Sequence, residues 1–213
     1  MERSFEEYLR PGMNRKTFLV GVFAIGLISL TALGVWLFKP AASLRGTTYA
    51  EPYPPAPPIN LTREDGSPFW LSDLRGKIVL LFFGYTSCPD VCPTTMAELK
   101  TAIDKIGPKN ADMVAVVFVT VDPERDTPQR VQQYVDHFNK DFIGLSGPES
   151  ALSKIWSDYG VFRSVAEGSP ATGYLVDHTA RITLIDQDGN LRSSYGFDTP
   201  VQDIVHDLNL LLG

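Results

Sequence analysis

Residues 78–84, IVLLFFG, and 113–121, MVAVVFVTV, are apolar runs of strand length, the first with a β-branched start. A strand that is apolar on both faces must be covered on both faces, the environment of a parallel sheet flanked by helices. Between them, Met96, Leu99, Ile103 and Ile106 recur at helical spacing until Gly107-Pro108 stops the pattern. Strand, helix and strand in that order constrain the fold more than any other feature of the chain.

The elements downstream continue the alternation. Thr127 is placed to cap a helix with Pro128 at its first position, and Val131, Tyr134, Val135 and Phe138 form its apolar stripe. A short strand is expected over 142–145, then a helix in PESALSKIWSDYG ended by Gly160. RITLID and LRSSYG, joined through Asp188-Gly189, read as a hairpin, and residues 200–212 as an amphipathic helix. The order predicts an α/β sandwich whose late hairpin adds antiparallel strands. With cysteines at the junction of the first long strand and its helix, this is a thioredoxin-like fold: a central mixed sheet flanked by helices.

Residues 18–38, FLVGVFAIGLISLTALGVWLF, carry no charge. About 21 residues at 1.5 Å each cross a hydrocarbon core of about 30 Å, and the run is longer than the apolar core of a cleaved signal peptide. Arg3, Arg10, Arg15 and Lys16 precede it, whereas only Lys39 and Arg45 follow closely. The positive-inside rule then puts residues 1–17 in the cytoplasm and the bulk of the chain outside. Glu2, Glu6 and Glu7 argue against a mitochondrial transit peptide, leaving a bacterial inner-membrane protein that faces the periplasm. Five prolines lie between Pro52 and Pro58, which predicts an extended spacer over 39–58 and a folded domain over 59–213. The formal net charge of −6 excludes the basic face that nucleic-acid binding needs.

The only two cysteines, Cys88 and Cys92, lie in FFGYTSCPDVCPTTM. Pro93 and the pattern beyond it predict that the helix begins near 88–92, where free N–H groups and the helix dipole lower a thiol pKa; Asp90 works against that lowering. A structural disulfide suits an oxidising compartment, but so short a loop restrains little chain entropy. A redox dithiol usually has a two-residue spacer, although three residues do not forbid it. For a metal, positions i and i+4 share one helical face about 6 Å apart, so both sulfurs can converge on one ion. Two thiolates prefer a soft metal: Cu(I) outside the cytoplasm, since zinc normally takes four ligands. Spacing alone leaves metal and redox chemistry level.

An imidazole would complete a two-sulfur copper site. His137 and His206 fall in amphipathic helices and read as surface or packing residues. His178 precedes the hairpin strand, at the junction that in a thioredoxin-like topology faces the start of the cysteine helix. Upstream of it, YGVFRSVAEGSPATGY lacks periodicity and reads as a mobile loop that brings His178 in when metal binds. TVDPERDTP, residues 120–128, reads as a loop and helix cap, with a second reading as an acidic rim for a partner.

FFGYTSCPDVCPTTM, TVDPERDTP and YLVDHTARITLIDQDG, in this order and behind a single span, resemble the Sco/SenC family of copper-binding assembly proteins. The resemblance covers residues 59–213. It implies a thioredoxin-like domain that binds one copper ion, Cu(I) or Cu(II), through Cys88, Cys92 and His178. It also implies a role in maturing the CuA centre of cytochrome c oxidase subunit II, with other periplasmic copper carriers or thiol reductases as further partners. The alternative is a thiol-disulfide oxidoreductase in which Cys88 and Cys92 reduce the cysteines of the oxidase copper site. A peroxidase-like relative could use Thr86 but leaves the cysteine pair and His178 unexplained.

Overall fold

The computed structural model describes residues 15–37, 43–168 and 173–213. It divides into two units, residues 1–42 and 43–213. In the first, Arg15–Leu37 is a helix (α1) of 23 residues. The expected span 18–38 runs along it, with Phe38 outside the described residues. Among the described residues no helix is long and apolar enough to cross a membrane, so the crossing is a reading of the sequence.

The second unit is built on a mixed sheet. Its strands are β1 (Thr47–Thr48), β4 (Ile78–Gly84), β5 (Val114–Thr120), β6 (Ile143–Leu145), β9 (Arg181–Ile185) and β10 (Leu191–Gly196), in the order β1-β10-β9-β4-β5-β6. A small hairpin of β2 (Asn60–Thr62) and β3 (Pro68–Trp70) precedes it. The helices are α2 (Val91–Ile106), α3 (Pro108–Ala111), α4 (Pro128–Asp136), α5 (Glu149–Asp158) and α6 (Val201–Leu212).

Every residue of β4 and β5 is buried, as the two apolar runs required. They pair in parallel from Ile78↔Val114 to Gly84↔Thr120. Alternate side chains use opposite faces of the sheet. Phe82 meets Phe118, which meets Tyr134 of α4, whereas Phe83 meets Tyr159 at the end of α5. Helix α2 packs against α6. Thr127 caps α4 by accepting from Arg130 N at 3.2 Å. Asp188-Gly189 forms the β9–β10 turn, with Gly189 at φ +76.

Two segments outside the cysteine site depart from expectation. The aperiodic stretch before His178 is a two-stranded ribbon, β7 (Arg163–Ala166) paired with β8 (Leu175–His178). Its alternation is hidden because the ribbon is too exposed to need an apolar face, and residues 169–172 lie outside the described residues. The expected spacer is also not free over its length. Thr47 and Thr48 pair with Ser194 and Ser193, Tyr49 N donates to Arg192 O, and Ala56 N donates to Gly189 O. Prolines are tolerated here because this is the sheet edge, where missing donors cost little.

A buried carboxylate holds that edge in place. Asp207 of α6 has no exposed surface and accepts from Arg45 N at 2.8 Å, Gly46 N at 3.0 Å and the Tyr195 hydroxyl at 2.9 Å. Asp207→Ala, which leaves those donors unsatisfied, is expected to cost about 3 kcal/mol of unfolding free energy, read as a lowered urea midpoint. A chain starting at residue 59 should lose a comparable amount relative to one starting at residue 43; equal midpoints would show that the docked edge contributes nothing.

Candidate metal centre

Cys88 and Cys92 follow the carboxyl end of β4, where open α/β sheets gather functional groups. Gly84 ends that strand. A Cβ there would stand 2.9 Å from Cys92 Sγ and 2.9 Å from the Phe118 ring, so only glycine lets the helix bring its sulfur so close to the sheet. Cys88 lies in the turn before α2, outside the helix, because α2 begins at Val91. The two cysteines therefore do not share a helical face. Cys92 is in the first turn, and its backbone N–H donates to Cys88 Sγ at 3.4 Å. Cys88 thus occupies the anion position at the helix N-terminus.

That placement splits the two thiols. Hydrogen bonding from Cys92, opposed by burial, lowers the Cys88 thiol to about 5, with the backbone N–H groups of Cys92 and Asp90 assisting. Asp90, expected to oppose thiolate formation, assists it through its main chain. Cys92 is fully buried and shifted the other way, first by its hydrogen bond to Cys88 and then by burial. Shifts in these opposite directions leave the pair, near neutral pH, with one proton, on Cys92. Neither Cys88 nor Cys92 is joined in a disulfide.

His178 ends β8, and its Nε2 lies 3.7 Å from Cys92 Sγ. Its position follows from the sheet register. Ile182 of β9 pairs with Phe82 of β4, so the residues just before β9 fall at the carboxyl end of β4. The ring stands edge-on to Phe82 and Tyr85, at centroid distances of 6.4 and 5.9 Å. Burial pushes the imidazole below its usual pKa, which keeps it neutral with a lone pair to donate. Nδ1 faces Thr179 O at 3.2 Å, an arrangement that leaves Nε2 as the free nitrogen when Nδ1 carries the proton.

The structure thus gathers Cys88, Cys92 and His178 at one end of the sheet. Among the described residues no three of His, Cys, Asp and Glu already stand in an arrangement that could hold a metal ion. The donor set nevertheless suits a soft ion: two sulfurs and one neutral imidazole, with Cys92 touching both other members. His137 is exposed at the end of α4 and His206 faces Asp207, so neither joins the site.

Residues around the site escaped the reading of the sequence. Asp122 and Asp126 have no exposed surface, so the acidic rim expected in TVDPERDTP is mostly interior. Asp126 accepts from Thr86 N at 3.0 Å, Thr86 Oγ1 at 2.6 Å and Thr120 Oγ1 at 2.7 Å, which fixes the turn leading to Cys88. Burial raises its carboxyl pKa, and these hydrogen bonds oppose the shift. Tyr85 also touches both halves of the site: its ring packs on His178, and its hydroxyl interacts with Cys88 and the Val176 backbone. The signal available in the sequence was two Asp in a loop beside apolar strands, a pattern that serves equally well on a surface.

A family model described as SCO1/SenC matches residues 48–213. The chain is 37% identical over 147 residues to the mitochondrial SCO1 homolog 1 of Arabidopsis thaliana, a match covering 69% of this chain and 44% of that protein. It thus spans less than half of that relative. The solution structure of apo Sco1 from Thermus thermophilus is 38% identical with a TM-score of 0.72, over 81% of this chain and 99% of that one. The copper-bound crystal structure of Arabidopsis thaliana ScoI is 35% identical with a TM-score of 0.68, over 74% and 98% of the two chains.

Two outcomes follow from the split pair and the tight glycine. Because the thiolate is the reactive form, alkylation of Cys88 should fall off as pH drops through about 5 and be pH-independent near neutrality. Cys92→Ala should raise that midpoint by removing the principal donor; a wild-type midpoint above pH 7 would contradict the proposed sharing of one proton. Gly84→Ala should cost about 1–3 kcal/mol of unfolding free energy, read as a lowered urea midpoint, because a methyl group would overlap Cys92 Sγ.

Proposed function

The chain belongs to the SCO1/SenC family, and from that premise we propose that it is a membrane-anchored copper carrier. In this reading it holds one copper ion through Cys88, Cys92 and His178 and helps supply it to the CuA centre of cytochrome c oxidase subunit II. The observation that carries the reading is the approach of His178 Nε2 to Cys92 Sγ at 3.7 Å, with Cys88 beside them at the start of α2. Two sulfurs and an imidazole suit copper better than zinc, which would want a fourth ligand, or a hard cation, which would want oxygens. A relative of 35% identity carries copper in its crystal structure.

The states of the three groups fit the task. Cys88 is already a thiolate near neutral pH, His178 is neutral, and only Cys92 has a proton to release when the ion arrives. Cys88 is half-buried, so an incoming thiolate from an acceptor protein can reach it and take over the ion by ligand exchange. Joining the two sulfurs in a disulfide removes both from the site, so oxidation gates loading. Other periplasmic copper carriers or thiol reductases would supply the ion or restore the thiols.

Anchoring supports the same task. Residues 18–38 span the inner membrane in this reading, with residues 1–17 in the cytoplasm and the second unit in the periplasm. The described side chains of α1 are exposed and mostly apolar, Phe23 to 82%, and the Ser29 and Thr31 hydroxyls donate to carbonyls of the preceding turn, a surface that suits lipid. The anchor confines the search for an acceptor to the layer in which an oxidase subunit presents its copper site.

A thiol-disulfide reductase is the second reading, favoured by the unequal thiols. The Cys88 thiolate would attack a disulfide on the oxidase copper site to form a mixed disulfide. Cys92, once deprotonated, would then attack Cys88 Sγ, releasing the reduced dithiol and leaving Cys88 and Cys92 joined. Anaerobic copper titration of the reduced chain separates the two readings. The carrier should bind one Cu(I), and Cys88→Ser, Cys92→Ser and His178→Ala should each weaken binding by at least about 100-fold. Wild-type affinity in His178→Ala together with fast disulfide reduction would transfer the assignment to the reductase.

A further inference from the structure

TVDPERDTP is the one motif that the cysteines and histidine do not absorb. It links both halves of the site. From one side, Asp126 holds Thr86, two residues before Cys88. From the other, the segment holds the ribbon that ends in His178, at Arg163 and at Tyr174. Val121 O accepts from Arg163 Nε at 2.5 Å, and Arg163 is the residue paired with His178 across the ribbon.

The grip at the start of β8 is closer and involves three contacts to Tyr174, the residue just before that strand. The Arg125 guanidinium lies over the Tyr174 ring at 3.7 Å, and Arg125 Nη1 donates to Tyr174 O at 2.9 Å. The Tyr174 hydroxyl donates to Asp122 Oδ1 at 2.6 Å, while Arg125 Nε donates to the other oxygen of that carboxylate at 2.5 Å. Asp122 is fully buried and cannot follow a moving ribbon. Arg125 also lies 5.6 Å from the Tyr85 ring centroid, and Tyr85 in turn stands against His178.

We propose that Arg125 is a positioning residue of the metal centre: by clamping Tyr174 to buried Asp122, it sets the register of the ribbon so that His178 reaches Cys92. The proposal rests on the copper-carrier reading above. The clamp holds Tyr174, the residue just before β8 and four before His178, and among the described residues β8 pairs only with β7, since the ribbon is a separate two-stranded sheet. Without the clamp, the ribbon retains its own pairing and the Arg163 bond to Val121 O but loses its tie to buried Asp122. His178 is then the ligand that suffers, because Cys88 and Cys92 are held by α2, Gly84 and Asp126.

The test uses the full chain in detergent, with Cu(I) competition against a chelator and nitrogen coupling in the paramagnetic resonance of the Cu(II) form. Arg125→Met should weaken Cu(I) binding about tenfold, the scale of outer-shell ligand support, and reduce the imidazole nitrogen coupling. Arg125→Lys should recover part of both. The double variant Arg125→Met, His178→Ala should bind no worse than His178→Ala, since the clamp acts through that histidine. Tyr174→Leu, which leaves the buried charge pair intact, should reproduce Arg125→Met and serves if the latter fails to fold. Wild-type affinity and nitrogen coupling in Tyr174→Leu, or losses that add to those of His178→Ala, would overturn the positioning role alone. Failure of the wild type to bind copper would overturn both this role and the carrier reading.

Discussion

The architecture of the site depends on two carboxylates buried within five residues of each other. Asp126 accepts three hydrogen bonds, two from Thr86 and one from Thr120, and Asp122 accepts from Tyr174 and Arg125. A carboxylate out of water must be compensated by donors, so each fixes whatever supplies them. Here the donors belong to the turn before the cysteines and to the ribbon before the histidine. The cost of burying charge is offset by holding together two segments about 90 residues apart in the chain.

The cysteine pair illustrates how one helix start can treat two identical side chains in opposite ways. Cys88 sits just ahead of α2 and receives its N–H groups; Cys92 lies in the first turn, next to Gly84 at the end of β4. The first becomes the thiolate and the second keeps the proton. Three intervening residues are enough for this because the chain turns before the helix begins. The pair is suited both to capturing a soft ion and to exchanging with a disulfide, which is why the donor from β8 matters to the distinction.

Much of the fold was legible in the order of its elements. The two apolar runs became the central parallel strands, Thr127 became a cap, and Asp188-Gly189 became a turn, because each depends on local chemistry or on uniform burial. The ribbon β7–β8 was not legible, since Arg163, Ser164 and Val165 carry no clear burial pattern. Nor was the docked edge at Thr47–Thr48, whose partner strand lies some 145 residues away and whose acceptor, Asp207, looks like an ordinary helix-surface residue.

By itself the sequence determined the layered α/β class, the two thiols at the carboxyl end of the first long strand, the histidine ahead of the hairpin, and an uncharged N-terminal run long enough to span a bilayer. These follow from periodicity, composition and connection order, which act along the chain. Only the tertiary structure decided that Cys88 precedes the helix, that Cys92 keeps the proton, and that Asp122 and Asp126 face inward. Those outcomes depend on burial and on donors brought from distant segments, and a linear pattern does not record which side of a loop faces water.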